Sequence, residues 1–241
     1  MLDAMISPTA PQILAETDAI LFDFNGTLSN DEDLLQSCYA QALLELNYPA
    51  LGVTEYEALL GRSEPDIAET LIRARSDKDI KAQTTLLIDA VARQYQTACQ
   101  QVPRVSTATV FMIKELAKTH KLGIVTGTLR RLIEPVLSDL GIAEYFHTVI
   151  TIEDVHKGKP APEGFLLGAA HLHISPSKIM VFEDSAAGVA AAHAAGMKVI
   201  AVGPAAGLSE FLEKIEDFPP HSCVISTLRS FYLDPNTIRA Q

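Results

Sequence analysis

A chain of 241 residues with 48% hydrophobic and 20% charged residues has globular composition, and its length suits one large domain or one domain carrying a sizeable insertion. A disulfide-stapled miniprotein and a disordered chain are excluded. Against 30 Asp and Glu stand 19 Lys and Arg, a net charge of −11, which repels nucleic acid and anionic membrane surfaces; neither is an expected partner. An acidic chain that handles an anionic substrate would need to recruit a cation.

From Met1 to Asp18 there is neither a cationic start nor a continuous apolar stretch, so no secretory signal is expected, and no run approaches the ~18 apolar residues of a membrane span. Cys38, Cys99 and Cys223 are far apart and lack Cys-x-x-Cys spacing, which reads as buried thiols in a reducing compartment and makes the cytoplasm the expected location. The first apolar run, Ala19-Ile20-Leu21-Phe22, ends in Asp23 and Asn25-Gly26, the pattern of a buried strand emptying into a turn. From Asp31 to about Gln101 the spacing is helical, with Leu34, Leu35, Cys38, Ala42 and Leu46 on one face and Leu86, Leu87, Ala90, Val91 and Tyr95 on another. Pro49, Gly52, Gly61 and Pro65 divide that block into about four helices, a small bundle. After Pro103, helical segments near 106–120, 130–140, 162–173 and 185–196 alternate with short apolar runs at 122–125, 148–150, 179–182 and 199–202. Such alternation implies α/β architecture, an open doubly wound parallel sheet covered on both faces. The strand at 19–23 belongs to the same sheet, so the expected organisation is a core of residues 1–29 and 103–241 with a helical insertion at 30–102.

Ligands of an open parallel sheet bind beyond the carboxyl ends of its strands. There the sequence delivers Asp23, then Thr126 and Gly127, then Glu153 and Asp154, then Glu183 and Asp184, with Lys159 in a Gly-Lys-Pro-Ala-Pro loop. Carboxylates suit magnesium, and amides with an ammonium suit phosphate. Each residue alone also has a plainer reading. Asp23 is a turn former, Glu183-Asp184-Ser185 a helix N-cap, Lys159 and Arg62 surface cations, and the histidines surface or packing residues.

Four stretches taken in order resemble the haloacid dehalogenase superfamily, in particular its β-phosphoglucomutase-like branch of phosphatases and phosphomutases. They are Leu-Phe-Asp-Phe-Asn-Gly-Thr-Leu at 21–28, Ile-Val-Thr-Gly at 124–127, Gly-Lys-Pro-Ala-Pro at 158–162 and Phe-Glu-Asp-Ser-Ala-Ala-Gly at 182–188. The resemblance spans about 18–230 and implies a Rossmann-like core with the helical insertion as its cap domain. It implies that Asp23 is the nucleophile that becomes a transient phosphoaspartate, and that Mg2+ is held by Asp23, Asp184 and the Asn25 carbonyl with Glu183 beside them. Thr126 and Gly127 would cradle the transferring phosphoryl group, and Lys159 would join nucleophile and phosphate. The implied partner is a small phosphorylated metabolite, since a lid over the strand ends admits no folded protein; its hinges would lie near 28–31 and 101–105.

Two positions depart from that pattern. Asn25 stands where the family usually has a second aspartate as general acid and base, and an amide exchanges no proton in the relevant range. Loss of that help costs ~10²–10⁴-fold, which leaves three readings: a slow or specialised phosphatase, a phosphate-ester binder without turnover, or a change made to trap a state. Leu35 and Glu64 occupy places where sugar phosphomutases of the branch carry a histidine and an arginine. Arg62 lies close enough to substitute, and Gly61 could allow close approach to substrate, but the register ranks hydrolysis above isomerisation.

Overall fold

The structure, a computed structural model, describes residues 15–60 and 62–202 and the backbone of 223–225. Its sheet is parallel throughout and comprises β1 (Ala19–Phe22), β2 (Lys121–Val125), β3 (Phe146–Ile150), β4 (Ile179–Glu183), β5 (Lys198–Val202) and β6 (Cys223–Ile225), in the order β3-β2-β1-β4-β5-β6. Two differences from the sequence pattern stand out. Strand β3 begins at Phe146 rather than at Thr148, because Phe146, Thr148 and Ile150 are buried while His147 between them is exposed and breaks the apolar run in the sequence, and β6 coincides with none of the apolar runs named above.

The strands are continuous apolar runs because both faces of the sheet are covered. Ile20 and Phe22 of β1, Ile124 of β2 and Phe182 of β4 point into one core; Ala19, Leu21 and Val181 point into the other. Phe22 stacks on Phe182 with ring centroids 5.1 Å apart and meets Phe146 edge-on at 6.4 Å. Helices α1 (Glu32–Glu45), α2 (Val53–Glu57), α3 (Glu64–Arg73) and α4 (Ile80–Gln101) all lie between β1 and β2, and α5 (Thr107–Leu116), α6 (Arg130–Asp139), α7 (Glu163–Leu172) and α8 (Ala186–Ala194) follow. The first core joins α1 to α6 with one sheet face, and α7 and α8 cover the other.

Within α4 the stripe Leu87, Val91, Tyr95 recurs every four residues and is buried, whereas Leu86, expected on the same face, is 47% exposed; one residue of helix rotation carries it about 100° away. Contacts between helical block and sheet layer are polar at their rim. Arg131 pairs with Asp89, and Gln100 Nε2 donates to Asp139 at 3.2 Å. Where the chain leaves and re-enters the sheet layer, Asn30 N donates to Arg104 O at 3.1 Å and Arg104 pairs with Asp33 at 3.0 Å, so the two crossing segments lie side by side. Cys38 and Cys99 are buried as expected, and burial pushes their thiols up to about 12 and about 11. The side chain of Cys223 and the whole of Gly61 lie outside the described residues.

Strand β2 leaves no room at Gly123, where a Cβ would stand 2.7 Å from both Leu21 Cδ2 and Thr148 Cγ2. Gly123→Val is expected to destabilise the fold by about 1–3 kcal/mol, as overpacking does. A lower denaturant midpoint with unchanged slope is the measurement.

Candidate active site

The sheet order places β1 beside β4, the point where the chain, having built outward through β2 and β3, crosses to the other side. That is a topological switch point, the position where such sheets bind ligands. In register, Phe22 faces both Ile124 and Phe182, so Asp23, Glu183 and Val125-Thr126 emerge together at one edge. Asp23 N is tied to Phe182 O at 2.9 Å, which fixes its Cα, and its side chain is nearly buried.

Lys159 comes from the loop before α7 and reaches between two of these carboxylates. Its Nζ lies 2.5 Å from Glu183 Oε1, 2.9 Å from Asp23 Oδ1 and 5.5 Å from the centre of the Phe165 ring. Glu183 is wholly buried, and its second oxygen accepts from Ser185 N at 2.7 Å and Ser185 Oγ at 2.9 Å. Ser185 also caps α8 through Gly188 N, so the N-cap reading holds beside the site reading. A Cβ at Gly188 would stand 1.7 Å from Glu183 Oε1, which makes that glycine part of the carboxylate's seat.

Burial pushes Glu183 above the usual carboxylate range, with Lys159 pulling the other way. Burial, then the charges of Glu183 and Asp23, push Asp184 well above it. Burial opposes the ammonium of Lys159, yet Asp23 and Glu183 outweigh that and hold it well above the usual lysine range. Three carboxylates thus share one ammonium, and Asp23, Glu183 and Asp184 offer oxygens that all lie within 4.8 Å of one another. Asp23 Oδ1 is buried and accepts no hydrogen bond, its contact with Lys159 being an ion pair alone. Excess negative charge on hard oxygen donors fits a divalent cation such as Mg2+. Asp184 is steadied by Thr27 Oγ1 at 2.9 Å, and Gly26 (φ +77°) lies so close that a Cβ would fall 2.1 Å from Asp184 Oδ2.

Thr126 and Gly127 follow β2 and line a cavity of about 380 Å³ with Asp23, Asn25, Lys159 and Asp184. On its other side the cavity is bounded by the helical block, where Leu35, Arg62 and Glu64 also line it. Arg62 is exposed. Glu64 is buried, its N–H donates to Gly127 O at 3.2 Å, and its carboxylate accepts from Tyr39 OH. Burial pushes the Glu64 carboxyl up to about 7.

Asn25 is pinned on both sides of its amide. Thr128 Oγ1 donates to its Oδ1, and its Nδ2 donates to Asp31 Oδ2 at 2.8 Å. Asp31 is fully buried and also accepts from Ser29 Oγ at 2.8 Å and from Tyr95 OH; burial pushes it up to about 6 despite these bonds. An aspartate at position 25 would set a second carboxylate against Asp31, whereas the amide is its complement.

Glu153 and Asp154, expected at the strand ends, do not line the cavity. They close a short turn after β3, where Asp154 accepts from Thr151 N at 2.7 Å and pairs with Arg130 at 2.6 Å, while Glu153 accepts from Arg130 N at 2.8 Å at the start of α6. Sequence reasoning gave no role to Thr27, Thr128, Asp31, Tyr39 or Tyr95. Thr27 lies within the first motif; Thr128, Tyr39 and Tyr95 carry no local signal, because the side chains that their hydroxyls bond are distant in sequence, and Asp31 bonds the nearby Ser29 and Asn25 but is completed by the distant Tyr95.

Lys159→Met would leave Glu183 and Asp23 facing one another without a cation. Breaking a buried pair costs about 3–5 kcal/mol, and the deficit should shrink as pH falls, because a raised carboxyl that takes a proton no longer needs a counter-charge. Thermal unfolding across pH, without added divalent cation, is the measurement.

Residues 20–202 match the sequence pattern of the haloacid dehalogenase-like hydrolases. Among curated relatives, a fructose-1-phosphate phosphatase of Escherichia coli is 28% identical over 186 residues, covering 76% of this chain and 95% of that protein. A phosphorylated-carbohydrate phosphatase of Thermotoga maritima is 30% identical over 191 residues, covering 76% of this chain and 83% of that one. The fold is similar to that of CbbY from Rhodobacter sphaeroides, solved with phosphate, with a TM-score of 0.73 at 21% identity over 89% of this chain and 96% of that one. With its sheet order, its strand-end carboxylates and lysine, and a match across most of its length, this chain belongs to the haloacid dehalogenase-like hydrolase family.

Proposed function

We propose that this chain is a Mg2+-dependent phosphatase of a small phosphorylated metabolite, a sugar phosphate foremost, acting through a phosphorylated Asp23. The observation that carries this reading is the Asp23–Lys159–Glu183 cluster at the switch point, beside a cavity lined by Thr126 and Gly127. Asp23 attacks phosphorus, the bond to the sugar oxygen breaks, and water then releases phosphate and regenerates Asp23; one hard displacement becomes two easier ones. Lys159 holds Asp23 and the phosphoryl oxygens together as a point charge. Glu183, with both oxygens engaged, anchors Lys159. Thr126 and Gly127 supply the hydroxyl and amide for the phosphoryl group. Asp23, Asp184 and the Asn25 carbonyl would hold Mg2+, with Glu183 beside it, and the ion would neutralise charge as carboxylate and phosphate approach.

The helical insertion, 30–102, serves as a cap that excludes water and reads the organic part of the substrate, with Arg62 at its edge. Leu35 and Glu64 on its cavity side favour hydrolysis over phosphomutase chemistry, since a second phosphate there would meet a carboxylate. The fit between the Asn25 amide and Asp31 favours Asn25 as native chemistry over a silenced site, with slow turnover of poor leaving groups unless another residue carries the proton. No described helix is long and apolar enough to cross a membrane.

Phosphate release measured with Mg2+ across sugar and short-chain phosphates should show turnover that a chelator removes and Mg2+ restores. Asp23→Asn should fall to the background of the assay. Mg2+-dependent ester binding without turnover would instead favour the binding protein.

A further inference from the structure

We propose that Glu64, carried on the helical insertion, is the proton carrier of the reaction, replacing the acid and base that Asn25 cannot supply. This rests on the phosphatase reading above. The chemistry needs a proton on the sugar oxygen as it leaves and a base for the incoming water. Asn25 has no proton to exchange, and both ends of its amide are held, by Thr128 and Asp31. Apart from Asp23 and Asp184, the carboxyls lining the cavity are Glu32, Glu64 and Asp66. Asp66 is exposed and accepts from Ser63 Oγ at 2.6 Å; Glu32 is exposed in the first turn of α1. Asp31 is buried but does not line the cavity. Glu64 alone among these is both buried and on the cavity wall.

Two contacts position it. Its own N–H donates to Gly127 O at 3.2 Å, and the place of a Gly127 Cβ is 3.7 Å from Ser63 Cα, so the start of α3 rests directly on the phosphate cradle. From α1, Tyr39 OH donates to Glu64 Oε2 and fixes the carboxyl's orientation. Among the described residues, the titratable groups that act on Glu64 or feel its charge are Tyr39 and Cys38 of α1, Tyr56 of α2 and Asp31 before α1, none of them a cation, and Arg62 is exposed. Burial in that company pushes the carboxyl up to about 7, where both acid and base forms are populated at neutral pH.

The proton balances over the cycle. As Asp23 forms its bond to phosphorus and the bond to the sugar oxygen breaks, the Glu64 proton passes to that oxygen, leaving alcohol, aspartyl phosphate and a Glu64 carboxylate. Water then bonds to phosphorus while its proton passes to Glu64, the bond to Asp23 breaks, and phosphate departs with Asp23 and the Glu64 acid restored.

The test compares the unaltered protein with Glu64→Gln, a near-isosteric change, on a sugar phosphate and on p-nitrophenyl phosphate, whose leaving group departs without a proton. Expected is a loss of kcat/KM of ~10²-fold or more on the sugar phosphate, a clearly smaller loss on the aryl ester, and disappearance of the fall in kcat/KM above about pH 7. The substrate's own ionisation is common to both proteins and drops out of the comparison. Tyr39→Phe removes a hydrogen bond that favours the Glu64 anion, so the same fall should move to higher pH; this variant decides the matter if Glu64→Gln does not fold. Equal losses on both esters, an unchanged pH limb in Glu64→Gln or an unmoved limb in Tyr39→Phe would overturn the proposal. If the unaltered protein releases phosphate and Asp23→Asn does not, such a failure falls on Glu64 alone; if the unaltered protein releases none, the phosphatase reading fails with it.

Discussion

A carboxylate with no exposure to solvent is tolerable only when it is paired and hydrogen-bonded, and Glu183 meets that demand through Lys159 on one oxygen and Ser185 on the other. Much of the site follows from that single requirement. Ser185 must stand at the N-cap of α8, Gly188 must lack a Cβ, and the loop before α7 must bring Lys159 inward over Phe165. Once Lys159 is held there, its ammonium also reaches Asp23, so the proposed nucleophile is paired with a group whose own position is set by a structural pair. Stability and function meet in one ion cluster.

The cluster needs the sheet to deliver its members in register. Phe22 faces Phe182 across β1 and β4, and their stacked rings lock the alignment one residue before Asp23 and Glu183 leave the strands. A slip of one residue would turn each of those side chains to the opposite face. Because both faces are covered by helices, Phe22, Ile124, Phe182 and Ile200 at this level are buried, and the carboxylates emerge where buried strand gives way to cavity.

The helical insertion completes the other wall. Its contact through Glu64 N and Gly127 O brings the start of α3 against the turn after β2, while Tyr95 of the same insertion reaches Asp31 and, through it, Asn25. The two halves of the molecule therefore share polar networks that end at the cavity wall. Titratable groups with raised ranges, Asp31 at about 6 and Glu64 at about 7, stand on that shared boundary. Of these two carboxyls only Glu64 lines the cavity, while Asp31 lies behind Asn25.

The strand-and-helix alternation, the helical character of the segment after β1 and the candidate residues Asp23, Thr126, Lys159, Glu183 and Asp184 are legible along the chain, because periodicity and strand-end position are local properties. The sequence also exposes Asn25 as a departure. Which strand-end carboxylates meet depends on the packed fold: Glu153 and Asp154 obey the same local rule as Glu183 and Asp184, yet β3 is at the sheet's edge and turns them to Arg130 and Thr151, while β4 lies against β1. The exposure of Leu86, the burial of Glu64 and the bonds joining Asn25 to Thr128 and Asp31 were likewise invisible in one dimension. Burial and hydrogen-bond partnership depend on what distant segments bring to the same place, and no spacing along the chain encodes that.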